Sequence, residues 1–245
     1  MSPRPSKAPK KIPERKFCRN SWKFEGEVIQ PPEEWPTRTG RARAWLFVRD
    51  RPRVRGESRW WDYTTLRAVA FDEFAEDALQ RRVGSRLLLF GNFANPPQTS
   101  WQRHLAYPIV TGIREISGEG STFINEWEFE GCVAAPPVRT FRCYGQIWGQ
   151  LNLWQNSVKS QLKGQAPRFA KPALLNTLVR SVTLREQLLS FEKGDDIHAF
   201  GRLISSPYGH MARALTERAS LIDRDVADQR LRRRVTDPFV TLGGP

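Results

Sequence analysis

WKFEGEVIQPP at residues 22–32 and WEFEGCVAAPP at residues 127–137 are two versions of one eleven-residue phrase. The Trp, Phe, Gly and Val residues and the Pro-Pro pair recur at a constant offset of 105 positions, from Trp22 to Trp127 and from Gly26 to Gly131. Because about a hundred residues is a typical domain length, this repeat predicts a duplicated structural unit.

In each copy of the phrase the large apolar residues are separated by even numbers of positions, which is the spacing of one face of a β-strand. Trp22, Phe24 and Val28 share one face and charged residues occupy the other, which indicates a half-buried strand. Gly26 marks a bulge or a close approach of another backbone. We expect Trp22 and Trp127 to pack in the core, with base stacking as the alternative role.

The residues after the first copy predict four more strands and one helix. Apolar and polar residues alternate along the strands, and Asp72 precedes the helix as an N-cap. Five short strands with a helix between the third and the fourth is the order of an OB-fold, a small Greek-key barrel. These elements are predicted at residues 41–49, 61–71, 72–82 (the helix), 86–93 and 104–113.

The second unit follows the same order. Its first strand is the second copy of the phrase, and its second strand is the alternating run RCYGQIWGQLNLW. After Pro207 the pattern fits either a strand or a helix, and we favour a strand. The second, third and fourth strands and the helix are predicted at residues 142–154, 177–184, 194–204 and 185–193, respectively.

The sequence therefore predicts an all-β fold with short helices, built from two tandem OB-fold domains, each a five-stranded Greek-key barrel. Basic segments without an apolar pattern predict flexible termini. The predicted segments are a basic disordered tail at 1–19, the first OB-fold at 20–116, a linker at 117–124, the second OB-fold at 125–223 and a basic C-terminal tail at 224–245.

The charge balance points to a polyanionic partner. The 39 Lys and Arg residues exceed the 26 Asp and Glu residues and give a formal net charge of +13 at pH 7. Nucleic acid is the expected polyanion because nine Trp residues offer flat faces for base stacking, while an anionic membrane surface and simple solubility are the alternatives. Without a bilayer-spanning apolar run or a signal-peptide pattern, we expect a cytoplasmic, nucleoid-associated protein.

The chain lacks the sequence patterns of enzymes and metalloproteins. Cys18, Cys132 and Cys143 form no CxxC pair, and three histidines are scattered singly. No phosphate-binding glycine loop or nucleophile elbow occurs, and Asp195 and Asp196 fit a solvated turn better than a metal pair. We expect a non-enzymatic protein without a cofactor or a metal.

The second strand of each unit carries aromatic and polar residues opposite its aliphatic face. Residues two apart on a strand lie about 6 to 7 Å from one another, so unpaired bases can stack on such rings, each worth about 1 to 3 kcal/mol. An interface with another protein is the alternative use of an aromatic surface. The residues are Arg41, Arg43, Trp45, Phe47 and Arg49 in the first unit and Tyr144, Trp148 and Trp154 in the second.

The connection between the second and third strands is basic in both units. Residues 49–59 contain five Arg and two acids, and residues 155–177 contain three Lys, one Arg and no acid. Long segments of one charge suit the wrapping of a polyphosphate. The candidate contacts are Arg51, Arg53 and Arg55 in the first unit and Lys159, Lys163 and Arg168 in the second, with Trp60, Trp61 and Trp101 as further aromatic candidates.

RAVAFDEFAEDALQRRVGSRLLLFGNF at residues 67–93 resembles the third strand, helix and fourth strand of the bacterial single-stranded DNA-binding protein family. EKGDDIHAFGRL at residues 192–203 is similar to the end of the same pattern. The resemblance implies a stacking role for Phe71 and a phosphate contact for Arg67. The positions that match the family in the first unit are Phe71, Ala75, Glu76, Gly84 and Gly91.

The resemblance also implies an assembly and a function. Tandem members of this family form dimers that display four OB-folds, so a homodimer is implied here. Family members end in an acidic tip that recruits replication enzymes, whereas RVTDPFVTLGGP at residues 234–245 contains one acid, and we expect a specialised member.

The expected function is sequence-tolerant binding and protection of single-stranded DNA in replication, recombination or repair. A structural subunit that docks other proteins of a replication or DNA-transfer complex remains an alternative. RNA binding is the other, since OB-folds accept both polymers.

Overall fold

A computed structural model of the chain describes residues 19–35, 42–50, 64–94, 106–117, 123–143, 146–155, 158–160, 168–169, 173–205 and 212–222. Both predicted basic tails lie outside this part of the chain, except for Arg19. The described residues are mostly β-strand, with two short α-helices and one turn of 3-10 helix at Leu188–Ser190.

The first repeat closes into a five-stranded barrel. Strands β1, β3, β4, β6 and β5 pair in that order, and β1 pairs again with β3 to close the circle. All pairs are antiparallel except β4 with β6. The elements are β1 (Asn20–Val28), β2 (Glu33–Glu34), β3 (Arg43–Arg49), β4 (Thr65–Phe71), α1 (Glu73–Leu79), β5 (Arg86–Ala94) and β6 (Tyr107–Glu115).

The second repeat closes in the same way. Strands β7, β9, β12, β14 and β13 form the barrel, β12 and β14 are its parallel pair, and β10 and β11 form a separate two-stranded sheet. The elements are β7 (Asn125–Val133), β8 (Val138–Cys143), β9 (Gln146–Gln155), β10 (Val158–Ser160), β11 (Arg168–Phe169), β12 (Ala173–Val179), α2 (Val182–Gln187), β13 (Asp196–Ile204) and β14 (Arg213–Leu221).

The predicted fold class is confirmed: the chain is all-β with short helices, and its barrels have the OB-fold order of strands. The ambiguous segment after Pro207 contains a strand, β14, as favoured from the sequence. In the described part of the chain the longer α-helix has seven residues, far short of the span needed to cross a bilayer.

Two local expectations were wrong, and a third, the N-cap at Asp72, was right in position only. The run 142–154 is not one strand, because β8 turns back and pairs antiparallel with β9, placing Phe141 opposite Trp148. The third strand of the second unit ends at Val179, and α2 starts soon after it because the side chain of Ser181 accepts a hydrogen bond from the Leu184 amide. Asp72 precedes α1 but makes no side-chain capping bond, since its backbone has φ 53° and ψ −127°.

The two barrels join through their first strands. β1 and β7 pair antiparallel, with Trp22 directly opposite Trp127. This pairing makes one continuous antiparallel sheet of six strands in the order β6, β5, β1, β7, β13 and β14. The two copies of the repeated phrase therefore lie on the strands that join the barrels. We call the pairing of β1 with β7 the seam.

The repeated Trp residues are core residues, as predicted. Trp22 and Trp127 are almost completely buried. The indole Nε1 of Trp22 donates to the carbonyl of Asn92 at 3.0 Å, and that of Trp127 donates to the carbonyl of Arg202 at 3.0 Å. Each buried ring thus keeps its polar atom satisfied, which a buried Trp requires.

The repeated glycines lie where each barrel closes. A Cβ atom on Gly26 would lie 2.5 Å from the carbonyl oxygen of Arg49, and one on Gly131 would lie 2.8 Å from the carbonyl oxygen of Trp154. Of the two alternatives expected at Gly26, the close approach of another backbone is therefore observed, and Gly131 repeats it in the second barrel. Only glycine lets the first strand and the second barrel strand come this close.

Candidate nucleic-acid interface

Strand β3 separates its side chains into an inner and an outer face. Ala44, Leu46 and Val48 point into the barrel and are completely buried. Arg43, Trp45, Phe47 and Arg49 occupy the alternate positions, because successive side chains on a strand point to opposite sides. The outer face is therefore the predicted aromatic and basic one.

Strand β4 brings a further cation onto this face. Phe47 lies opposite Arg67, and the guanidinium carbon of Arg67 lies 4.0 Å from the centroid of the Trp45 ring and 5.3 Å from that of Phe47. Such cation–π contacts are worth about 0.5 to 1 kcal/mol when exposed and about 2 kcal/mol or more when desolvated. Tyr107 of β6 also packs against Trp45, with ring centroids 6.0 Å apart and the two ring planes tilted by 48°.

Arg43 extends the same arrangement toward strand β2. Its guanidinium carbon lies 5.8 Å from the Trp45 ring and 5.3 Å from the ring of Trp35, which follows β2 and is 49% exposed. Rings and guanidinium groups thus alternate across the outer face. We call the set Trp35, Arg43, Trp45, Arg67 and Phe47 the aromatic–arginine strip.

Several polar atoms of the strip have no hydrogen-bond partner in the described part of the chain. Burial lowers the pKa of the Arg67 guanidinium, Glu33 opposes this shift, and the like charge of Arg43 adds to it. The Nε atoms of Arg43 and Arg67 and the indole Nε1 of Trp45 are buried, with no hydrogen-bond partner in the described part of the chain. Buried donors without a partner carry a desolvation cost.

The strip includes several predicted site residues and leaves others at its margin. Arg43, Trp45, Phe47 and Arg67 lie together, although Phe47 is only 8% exposed. Arg49 is exposed at the end of β3. Phe71 of β4 is directly opposite Arg43 of β3 and is partly buried.

The remaining predicted contacts of the first unit lie outside the described residues, and so do two of the second unit. Lys159 lies in β10 and Arg168 in the paired strand β11. The predicted residues outside the described part are Arg41, Arg51, Arg53, Arg55, Trp60, Trp61, Trp101, Tyr144 and Lys163.

The corresponding face of the second barrel is built differently. Trp148 is only 9% exposed because it packs with Leu178 and Leu215, which stand on the outer faces of β12 and β14. Little of its ring is open for stacking. Trp154 is partly buried and lies opposite Leu174, without a neighbouring cation–π partner among the described residues.

Trp35 and Tyr107 were missed by sequence reasoning. Tyr107 reaches Trp45 because β6 runs parallel beside β4, with Ile109 opposite Val69, and a pattern along one strand does not report such a neighbour. Trp35 is held by a backbone hydrogen bond of 2.8 Å from its amide to the carbonyl of Arg43. In the sequence Trp35 directly follows Glu33 and Glu34 of β2, so its neighbours did not indicate that it would lie beside an arginine.

The described residues contain no group of three or more His, Cys, Asp or Glu side chains placed to hold a metal ion. Cys132 is buried and not in a disulfide. The outer face of the first barrel offers aromatic rings and guanidinium groups in contact with one another.

No protein-family model matches the sequence, and the comparison with curated proteins gives no significant match. Among solved structures, the chain is similar to the wild-type single-stranded DNA binding protein from Thermus aquaticus, with 17% identity, a TM-score of 0.60, and coverage of 83% of this chain and 93% of that one. A deletion mutant of the same Thermus aquaticus protein matches with 17% identity, a TM-score of 0.61, and coverage of 85% and 96%. Because these matches extend over both repeats, the chain has the fold of these proteins, with two OB-folds in one polypeptide.

Proposed function

We propose that the protein binds single-stranded DNA without strong dependence on sequence, along the aromatic–arginine strip of the first barrel. The observation that carries the proposal is the stacking of Arg67 on Trp45 at 4.0 Å, with unsatisfied donors on both residues. The net charge of +13 supports it, and so does the likeness in fold to proteins named for single-stranded DNA binding.

The strip suits a ligand that combines anionic phosphates with flat bases. A phosphate near Arg43 and Arg67 adds negative charge beside two guanidinium groups whose like charges oppose one another. A base then stacks on the Trp45 ring, or on the guanidinium plane that covers it, for about 1 to 3 kcal/mol per base. Every base has such a face, so this mode of binding tolerates sequence.

Other predicted residues extend this path. Phe71 and Arg49 flank the strip on β4 and β3, at positions where they can contact the same strand of nucleic acid. The basic segments 49–59 and 155–177, with Arg51, Arg53 and Arg55 in the first, would contribute phosphate contacts. Their charge predicts an affinity that falls steeply with salt as counterions are released.

Tryptophan fluorescence tests the proposal. Titration of the protein with oligothymidylate at low salt should quench its fluorescence, and Trp45→Ala should weaken binding about 5-fold or more, since one stacked base is lost. Trp154→Ala serves as a control for the loss of one partly buried Trp on the equivalent strand. Absence of quenching in the unaltered protein, or equal affinity of the Trp45 variant, would refute this assignment.

We also propose the arrangement in which this function is carried out. Each barrel is a domain, at residues 20–116 and 125–223, and two chains associate to display four OB-folds. Light scattering of the purified protein would give the mass of two chains under this proposal. The processes served would be replication, recombination or repair.

A docking role is the second candidate function, favoured by apolar side chains on the second barrel. Ile147, Val182, Leu189 and Leu221 are each between 44% and 64% exposed there. Under this alternative the Trp45→Ala protein would bind DNA as before, and assembly with other proteins would depend on the second barrel. Competition with oligoribonucleotides would separate DNA binding from RNA binding.

A further inference from the structure

Strand β2 places an acidic residue beside the aromatic–arginine strip. Glu33 of β2 is directly opposite Trp45 of β3, and Glu34 is directly opposite Ala44. Residues that face one another across an antiparallel pair share one side of the sheet, with Cβ atoms about 4.5 to 5.5 Å apart. Because Trp45 is on the outer face and the buried Ala44 is on the inner face, Glu33 lies on the side of the strip and Glu34 points to the opposite side.

Glu33 has both rings that Arg43 contacts as its neighbours. Trp35 comes two positions after Glu33, and its amide donates to the carbonyl of Arg43 at 2.8 Å, which continues the pairing of β2 with β3. The Arg43 guanidinium carbon lies 5.3 Å from the Trp35 ring and 5.8 Å from the Trp45 ring. The register therefore puts a carboxylate among the rings and the guanidinium groups of the strip.

The charge of Glu33 also reaches the second cation of the strip. Burial lowers the pKa of the Arg67 guanidinium, the negative charge of Glu33 raises it, and the positive charge of Arg43 lowers it further. A carboxylate that favours the charged form of Arg67 acts as its counter-ion. Arg67 thus has an anionic neighbour within the chain before any ligand binds.

The carboxylate of Glu33 keeps its negative charge open to an approaching ligand. Both residues of β2 are exposed. The Oε1 atom of Glu33 accepts a hydrogen bond from Nε2 of Gln30 at 3.3 Å, and this donor is neutral. A neutral donor does not cancel the charge of a carboxylate, so an anion bound to the strip meets that charge.

We infer that Glu33 competes with the phosphates of single-stranded DNA for the arginines of the strip and so limits the affinity of the site. This inference rests on the proposed binding of single-stranded DNA along the strip. A phosphate near Arg43 and Arg67 is attracted by both cations and repelled by Glu33, so it gains less than it would beside the two cations alone. Stacking on Trp45 is not reduced in this way and contributes a larger share of the affinity. A repulsive charge in a binding site is one way to weaken the binding of unwanted partners.

Two variants of neighbouring residues test the inference. Glu33→Gln removes the charge with little change in shape, and Glu34→Gln removes the same charge from the other side of the strand. Oligothymidylate should bind Glu33→Gln about 3- to 5-fold more tightly than the unaltered protein, the scale of one exposed charge interaction. The slope of log affinity against log salt should become steeper by up to about 1. Glu34→Gln should gain less than about 2-fold at 0.1 M salt, where screening acts over about 10 Å.

Either of two binding results would overturn the inference. Equal gains in Glu33→Gln and Glu34→Gln would mean that only the total charge of the protein matters. Unchanged or weaker binding by Glu33→Gln would mean that Glu33 does not compete with phosphate, and weaker binding would instead assign it the orientation of the arginines.

Quenching of tryptophan fluorescence by iodide tests the same inference without DNA. Iodide is an anion, so its quenching of exposed rings such as Trp35 should increase when the negative charge at Glu33 is removed. Acrylamide is neutral and should quench the unaltered protein and Glu33→Gln equally. Iodide quenching that is the same in both proteins would overturn the inference.

The proposed function fails differently, because oligothymidylate would then bind neither the unaltered protein nor Glu33→Gln at low salt. The iodide measurement would still report whether Glu33 repels anions from the strip.

Discussion

Trp22 and Trp127 lie directly opposite one another across the pairing of β1 with β7, so the two copies of the repeated phrase meet at the seam between the barrels. The strands that carry these rings into the two cores also join the barrels. The cores touch as well, because Phe93 of the first barrel packs edge-on against Trp127 of the second, with ring centroids 6.3 Å apart. Stability of either barrel should therefore depend on the seam.

Replacing either seam Trp by Phe should destabilise the protein by about 1 to 3 kcal/mol, because a buried carbonyl loses its indole donor and a space is left in the core. Trp127→Phe should cost more than Trp22→Phe, since the Trp127 Nε1 atom also lies 3.1 Å from the carbonyl of Leu215. Urea unfolding measures both. Trp35→Phe, at a ring 49% exposed, is the control and should change stability by less than about 0.5 kcal/mol.

Gly26→Ala should destabilise the first barrel by about 1 to 3 kcal/mol or more, because the new methyl group would overlap the backbone of Arg49. Gly112→Ala is its control on β6, since a Cβ atom there would lie 3.4 Å from the Phe90 ring, an ordinary contact. Thermal melting of the two variants checks the difference. Equal melting temperatures would show that the closure of the barrel tolerates a side chain at Gly26.

Arg67→Gln should weaken binding to all single strands alike and should reduce the slope of log affinity against log salt by about 1, since one phosphate contact is lost. Arg114→Gln makes the same change of charge on β6, where Arg114 lies 5.9 Å from the Phe90 ring, away from the strip. Its salt slope should equal that of the unaltered protein. A slope that falls equally in both variants would mean that only total charge matters.

Asp50 predicts a pH dependence of stability. Burial raises the pKa of its carboxyl, and hydrogen bonds from the Thr64 amide and from Asn125 oppose the shift without reversing it. The folded state therefore binds this proton more tightly than the unfolded state does. As a result, the contribution of Asp50 to the free energy of unfolding falls as the pH rises from 3.8, the ordinary pKa of an Asp carboxyl, through its raised pKa in the folded protein.

The Asp50→Asn variant should lack this part of the pH dependence. Urea unfolding of both proteins across the acidic range isolates it, because all other groups cancel in the difference. If stability of the unaltered protein relative to the variant instead rose with pH, the pKa of Asp50 would be lowered in the folded state.

Much of the fold was predictable because its signals are local. The repeated phrase predicted the duplication, and alternation of apolar residues predicted the buried faces of β1, β3 and β7, with Trp22 and Trp127 in the cores. The reversal between β8 and β9 was not predictable from that signal, because polar and apolar residues keep alternating through 142–154. Ser181 offered a capping signal for α2 that the apparent strand pattern masked.

The candidate site was predictable only along single strands. Alternation on β3 placed Arg43, Trp45 and Phe47 on one face, and the family resemblance pointed to Arg67 on the next strand. Contacts across strands set the rest: Tyr107 reaches Trp45 through a parallel pair, and Leu178 and Leu215 cover Trp148. Register between strands separated in sequence decides such contacts, and the sequence alone does not report it.

The central claim is that unpaired DNA lies across β3 and β4 of the first barrel. Photo-crosslinking of an oligonucleotide that carries 5-iododeoxyuridine, followed by mass spectrometry of the peptides, maps the contact on the unaltered protein. We predict crosslinks at Trp45, Phe47 or Phe71, with a yield that falls as salt rises. Crosslinks confined to the six-stranded sheet around Phe90 and Phe200, or an absence of crosslinks at low salt, would contradict the account.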